Sequence, residues 1–579
     1  MQFRSKGRRG AMLASSALCA FISLAGPALA QSGSAAEDKT VEEIVVVGSQ
    51  IQGAKVNTAL PVTVVGEEQI QASAAVSGDE LFRTIPEAGN VNFNSSFLPG
   101  SSNSARGDVN SISLRNIGSG NTLVLLNGRR TVVHPTTQAE SLVPVFSFNT
   151  NALPVAGLKR VEVLRDGAAA IYGSDAVAGV INTVLQDHFN GGSLEAQYGH
   201  AEGTSLREGQ LTGLFGRDFQ DGRGNFTLFA STTRRSALLA SDQDFTAFSD
   251  ERPLFAGTPF ATATSLDMRS TTTPFGLFAT PAANGVIRSN GVAVTGSTGI
   301  FHTAPASFPT CAVPSPGNPG LCLDVGAFNT TTDRELRGES ASFKLTVVPQ
   351  VVRYNFFATG HYDLSDDVTA YTELGWYNAV THGTVGSQGF TANTSTTLTV
   401  PASAYYNPFG AAVLPNGQPN PNRLPGLNIS AAGVPVTISS YNFVDVGSSD
   451  VKVTNNQYRI LGGFKGKLWG WNFDSAALYN WATVDDLSYT LSATKVAAQI
   501  ALSTPDAYNP FNGGCLVNTS FGDCTPSNAA ALKAMTVPIH RKDKTTLALW
   551  DFKVSRPDVL SIWAGDVGVA AGVEVRHET

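Results

Sequence analysis

Residues 457–481 read QYRILGGFKGKLWGWNFDSAALYNW. Tyr458, Ile460, Phe464 and Leu468 alternate with Gln457, Arg459, Lys465 and Lys467, the chain turns at Trp469-Gly470-Trp471, and Phe473, Ala477, Tyr479 and Trp481 return. Successive side chains of a strand point to opposite faces, so this hairpin has one apolar face with aromatics near its ends and one hydrophilic face. The stretch Arg353–His361 repeats the pattern: Tyr354, Phe356 and Ala358 lie opposite Arg353, Asn355, Thr359 and His361, with Phe357 as the exception. A turn at Asp363–Asp367 then leads back through Val368 to Tyr377.

A soluble sandwich also alternates, but its loops seldom exceed about 15 residues. Here the connection from about Ser236 to Glu339 is far longer. Tight turns at one end of the strands and very long polar loops at the other are the signature of a membrane β-barrel with a lipid-facing exterior and a polar lumen. No stretch after residue 30 is long and apolar enough to span a bilayer as a helix.

The 579 residues are 42% hydrophobic and 15% charged, with 57 Gly and 32 Phe, which suits at least two domains with dispersed apolar residues. Arg4, Lys6, Arg8 and Arg9 precede an apolar run, Ala11–Ala25, and Pro27-Ala28-Leu29-Ala30. This is expected to be a signal peptide, residues 1–30, cleaved after Ala30. Its removal takes four cations and no anions from a chain of formal charge -7, so the exported protein is acidic. Nothing resembles the basic footprint of a nucleic-acid binder. In an exported chain, Cys311 with Cys322 and Cys515 with Cys524 read as two disulfides stapling loops, each worth about 2 to 3 kcal/mol. Zinc is the rival, without the usual ligand spacing in its favour.

Residues 31–54 form a polar tail around VEEIVVVGSQI, 41–51. The β-branched run there, within Glu43, Ile44, Val45, Val46 and Val47, is suited to adding a strand to a partner's sheet, or is the first strand of the next domain. Residues 55–190 read as a small α+β domain: a strand at Pro61–Val65, a helix over Glu67–Thr84, strands at Ser111–Arg115, Thr122–Leu126 and Val161–Leu164, and a hairpin turn at Asn127-Gly128.

Four stretches in order, VEEIVVVGSQI, TALPVTVVGEEQI (58–70), SISLRNIGSGNTLVLLNGRR (111–130) and VEVLRDGAAAIYGSDAVAGVINTVL (161–185), closely resemble the TonB box and plug domain of TonB-dependent outer-membrane receptors. The resemblance implies a plug domain over 55–190 and, over 191–579, the N-terminal part of a large antiparallel transmembrane β-barrel with long extracellular loops. Large plugged barrels have about 22 strands, of which these residues are expected to supply about 12 to 14. Asp566–Thr579 alternates but stops without a terminal aromatic, so the sequence is expected to be truncated. Only ten residues separate Ala30 from Val41, which disfavours the signal-transducing subclass.

The implied partners are TonB, with ExbB and ExbD, captured through Glu43–Val47; outer-membrane lipid; and a small nutrient in the outer membrane of a Gram-negative bacterium. The expected cargo is a ferric siderophore, with a saccharide, cobalamin or another small nutrient as alternatives and a passive porin or surface-binding barrel as the rival class. Arg115 and Arg129 are expected to pair with lumen acids. Asn127, Gly128, Gly167, Tyr172, Gly173, Gly179 and Asn182 are expected to hold the plug together. Apical loops at Phe97–Asn110 and His134–Ser141 offer Phe97, Arg106 and His134 as substrate contacts. Arg106-Gly107-Asp108 carries no weight as an adhesion tripeptide, and Tyr-Asn-Pro-Phe, at 406–409 and 508–511, reads as a turn with an aromatic anchor. Without HExxH, GxSxG or a P-loop, and with scattered histidines, no enzyme, metal or cofactor is expected.

Overall fold

The computed structural model describes residues 47–51, 61–89, 91, 94–101, 103–140, 143–166, 168–316, 318–326, 333–337, 345–386, 389–393, 396–513, 528–563 and 565–579. Residues 1–46, which hold the expected signal peptide and Glu43–Val46, lie outside them, as do residues 52–60, Gly167, Cys515 and Cys524.

The α+β region is built on five strands, β1 (Val62–Gly66), β2 (Thr122–Leu126), β3 (Arg129–Arg130), β4 (Leu158–Leu164) and β5 (Gly179–Leu185), in the order β1-β4-β5-β2-β3. Strands β2 and β5 are parallel and the other neighbours antiparallel. Alternation divides the sheet cleanly. Val124, Leu126, Val161, Val163 and Ile181 enter one buried cluster, while Leu123, Leu125, Leu164 and Val180 enter another, which Val47 covers. Asn127 (φ 49°) and Gly128 (φ 75°) make the expected tight turn between β2 and β3. The helix expected over Glu67–Thr84 is two: α1, Glu67–Ala72, and α2, Gly78–Arg83. Ala74 takes a left-handed conformation, φ 50°, and Ser77 caps the second helix by accepting the Glu80 N–H at 3.3 Å.

The second sheet has nine antiparallel strands in sequence order: β6 (Gly191–His200), β7 (Arg207–Phe219), β8 (Gly224–Arg235), β9 (Gln350–Ser365), β10 (Val368–Val385), β11 (Ser449–Leu468), β12 (Trp471–Leu491), β13 (Thr536–Ile562) and β14 (Gly565–Glu578). The 457–481 hairpin falls on β11 and β12, and Trp469 (φ 53°) and Gly470 (φ 80°) turn it. Nine strands among the described residues fall short of the 12 to 14 expected. The remaining extended segments pair with one another in the long connections: Leu277–Ala279 bonds to Ile300–Pro305 and, across to the next long connection, to Val436–Asn442.

Those connections, 236–349, 386–448 and 492–535, share one aromatic core containing Phe278, Phe301, Phe409, Tyr441, Tyr508 and Phe511. The Tyr-Asn-Pro-Phe repeat builds it. The Asn407 and Asn509 side-chain oxygens accept the N–H of Phe409 (2.9 Å) and Phe511 (3.0 Å), an Asx turn that throws each phenylalanine inward. Phe409 then meets Phe301 edge-on at 5.1 Å and Phe511 meets Phe278 at 4.7 Å. Cys311 and Cys322 are joined, with Cα atoms 5.7 Å apart.

Candidate functional site

One face of the nine-stranded sheet, the wall, packs on the α+β region; the other presents Tyr354, Trp376, Ile460, Phe464, Tyr479 and Trp550, all exposed. The contact is built from charged side chains on the inward stripes. Arg106 lays its guanidinium on Asp486 of β12, Nε to Oδ2 at 2.8 Å and Nη2 to Oδ1 at 2.7 Å, and also donates to Ser488. Both side chains of this pair are essentially fully buried. Asp108 reverses the polarity: its carboxylate accepts Nε and Nη2 of Arg353 on β9 at 2.6 and 2.7 Å, and the Tyr377 hydroxyl at 2.7 Å. Burial alone would raise the Asp108 carboxyl, but the Arg353 charge and these hydrogen bonds outweigh it and hold it below the usual range. Gly107 between them has φ +97°, and a Cβ there would stand 2.8 Å from Val453, so only glycine lets the chain lie this close to the wall.

Arg129 is gripped by Asp551 of β13 at 2.9 and 3.0 Å and by Asp474 of β12 at 2.9 Å, over the ring of Tyr371 at 5.7 Å. Asn127 donates to Glu373 at 2.7 Å, and Arg459 donates to the same carboxylate at 2.8 Å. Buried charges in this number persist only because each has a bidentate or doubly hydrogen-bonded partner.

A second constellation lies on the other face of the small sheet. Glu162, fully buried on β4, receives the Val47 N–H at 3.3 Å and the Asn182 amide at 3.1 Å on one oxygen, and Arg160 at 2.7 Å on the other. Asn182 also accepts the Gly128 N–H at 2.8 Å, so Asn127, Gly128 and Asn182 form one node. Gly179, φ +143°, would place a Cβ 2.3 Å from the Leu164 carbonyl. Gly173 ends the short helix Ala169–Tyr172, and the Tyr172 carbonyl accepts from Arg130.

Several sequence expectations are corrected. Arg115 (φ 56°) reaches no wall acid; it donates to the Ala178 carbonyl at 3.0 Å within the α+β region. Arg106 is not an apical contact, because Asp486 and Ser488 occupy its guanidinium. His134 is buried with Nδ1 against Thr136, and burial pushes its pKa down to about 4. Phe97 alone of the three is exposed, at 51%. The sequence reading missed Asp108, Arg353, Asp474, Asp486, Asp551 and Glu162. For Arg353, Asp474, Asp486 and Asp551 the available signal was position, since acids and arginines on the hydrophilic stripe of a barrel strand face the lumen.

Residues 54–180 match the model of the TonB-dependent Receptor Plug Domain, so the α+β region is a plug domain of the TonB-dependent receptor family, followed by a large antiparallel sheet. The vitamin B12 transporter BtuB of Photobacterium profundum is 27% identical over 150 residues, 26% of this chain and 22% of the relative. Of solved structures, the ferric preacinetobactin receptor BauA of Acinetobacter baumannii aligns with TM-score 0.36 and 13% identity over 91% of this chain and 59% of its own. The siderophore receptor PirA, also of Acinetobacter baumannii, aligns with TM-score 0.34 and 11% identity over 90% and 57%. The match thus spans less than a quarter of the curated relative and under three-fifths of either receptor.

Proposed function

We propose that this chain is part of an energised importer in the outer membrane of a Gram-negative bacterium, with a ferric siderophore as the first candidate cargo. The observation that carries the reading is the plug held against the inner face of an antiparallel sheet by Arg106, Asp108 and Arg129, while the sheet's outer face is apolar and aromatic. A plug so placed obstructs passive flow, and the aromatic outer face suits outer-membrane lipid.

In this reading cargo settles on the extracellular side of the plug, with Phe97 among its contacts. The segment Glu43–Val47 adds a strand to TonB, and TonB with ExbB and ExbD draws on the inner-membrane proton gradient to shift part of the plug. Deleting residues 41–51 tests it. Binding of radio-iron-loaded siderophores should persist and their energised uptake vanish; uptake that survives the deletion sinks the proposal and favours a passive porin. Cobalamin and a maltooligosaccharide, run in parallel, decide between the cargo classes. A strong rise of the protein in outer membranes of iron-starved cells favours the siderophore, and no change favours the others.

A further inference from the structure

The contact between plug and wall differs in kind from one side to the other. Against β8–β10 the core of the plug continues into the wall without a break: Phe229, Phe357, Tyr377 and Ala379 belong to the same buried cluster as Leu153, Val155, Leu158 and Leu185. Gly157 lies so close to Phe229 that an added Cβ would stand 3.4 Å from the Phe229 Cβ. The Asp108–Arg353 pair is embedded in this apolar weld, since Tyr377 bonds the same carboxylate.

Against β11–β13 the plug contributes only Val132 and Leu98 to the wall's apolar clusters among the described residues. Charge makes the contact instead, through Arg106 on Asp486 and Arg129 on Asp474 and Asp551. Between these pairs the wall carries hydrogen-bonding capacity that the protein leaves unused. Both amide atoms of Asn480 and Nη2 of Arg459, cross-strand neighbours on β12 and β11, are buried without a partner among the described residues, as is Thr131 Oγ1 on the plug. Ile51 of the N-terminal segment packs on Gly568 of β14, the strand next to β13, 3.0 Å from where a Gly568 Cβ would be.

The two sides therefore resist separation differently. Parting the weld exposes apolar surface to water with nothing gained in return. Parting the charged side rehydrates arginines and carboxylates, and because burying an ion pair roughly cancels desolvation against attraction, the net cost of opening it is small. We propose that β11–β13 is the opening side. A tug on the N-terminal segment parts the plug from these strands while β8–β10 hold it, and cargo passes along a strip lined by Asn455, Arg459, Asn480, Asp474, Asp486 and Asp551. This rests on the energised-import reading for the tug, but the asymmetry itself does not.

Amide hydrogen exchange of the purified full-length receptor in detergent micelles, with neither TonB nor cargo present, tests the asymmetry separately from import. In D474N/D551N, exchange at residues 129–136 should rise at least threefold while 152–158 stays within twofold of the parent, because a charged-side loss remains local. In F229A both segments should rise at least threefold, because the weld holds the plug. Unchanged strand content by circular dichroism shows that each variant is folded. The proposal is overturned if the charged-side variant loosens 152–158 beyond twofold, if it fails to loosen 129–136 threefold, or if the weld variant leaves either segment below threefold.

Discussion

Arg106 and Asp108 sit on either side of one glycine and hold opposite charges on different strands of the wall, Asp486 on β12 and Arg353 on β9, with β10 and β11 between them. The two grips together fix both the position and the rotation of the plug loop. A single pair would leave the loop free to pivot about it.

Breaking the first grip should be expensive, whereas replacing it should not. Arg106→Met leaves Asp486 buried with Arg541, at 3.2 Å, as its remaining cation, and a loss of about 3 to 5 kcal/mol is expected. Arg106→Met combined with Asp486→Leu should be less destabilised than Arg106→Met alone. Urea unfolding of the parent and variants measures this, and simple additivity of the two single losses would show that the residues do not act as a pair.

Acid should loosen the plug before it attacks the carboxylates. His134 is neutral when folded, with its pKa pushed down to about 4, whereas unfolded it takes a proton below about 6.5. Its contribution is present above the unfolded pKa and is lost as pH falls towards 4, on the order of 3 kcal/mol in all. Arg541 faces the same ring and opposes the proton further. Melting temperatures at pH 7 and pH 4.5 should therefore diverge for the parent and converge for His134→Gln.

The two asparagines of the repeated tetrapeptide should not be equivalent. Asn407 also donates to the carbonyls of Pro401 (3.0 Å) and Val434 (2.9 Å), so Asn407→Ala strands buried acceptors at about 1 to 3 kcal/mol. Asn509→Ala forfeits chiefly the bond to the Phe511 N–H, about 1 kcal/mol. Protease added to intact cells should cut the long connections faster in Asn407→Ala than in Asn509→Ala, and equal rates would refute the difference.

Val47 offers a test that leaves the plug's own residues untouched. Val47→Pro removes the N–H that Glu162 accepts and exchanges the buried isopropyl group for a ring, so amides 48–51 should exchange faster while β4 and β5 remain protected. Unchanged exchange at 48–51 would mean that this bond does not hold the segment.

The wall hairpins were legible because alternation is a local property of a strand, and even its exception had a meaning: Phe357 breaks the polar stripe because it faces the plug core. The helix break at Ala74 was not legible, since alanine carries no signal for a left-handed backbone. Nor were the partners of Arg106 and Arg129, which lie 380 and 422 residues away along the chain. Sequence marks the lumen face as polar, but which acid meets which arginine depends on strand register and on how the plug is seated. The pairing of Leu277–Ala279 with Val436–Asn442 was hidden too, because a strand of three residues, as the first of these is, has no pattern of its own.

Because that pairing stitches two of the long connections into one sheet, and the Tyr-Asn-Pro-Phe turns sew a third into the same core, the three stand or fall as a set. A chimera that exchanges one of them with another receptor would cut through a shared interior and misfold. Grafting all three together, with joins at Arg235, Gln350, Val385, Ser449, Leu491 and Thr536, would transplant a finished object.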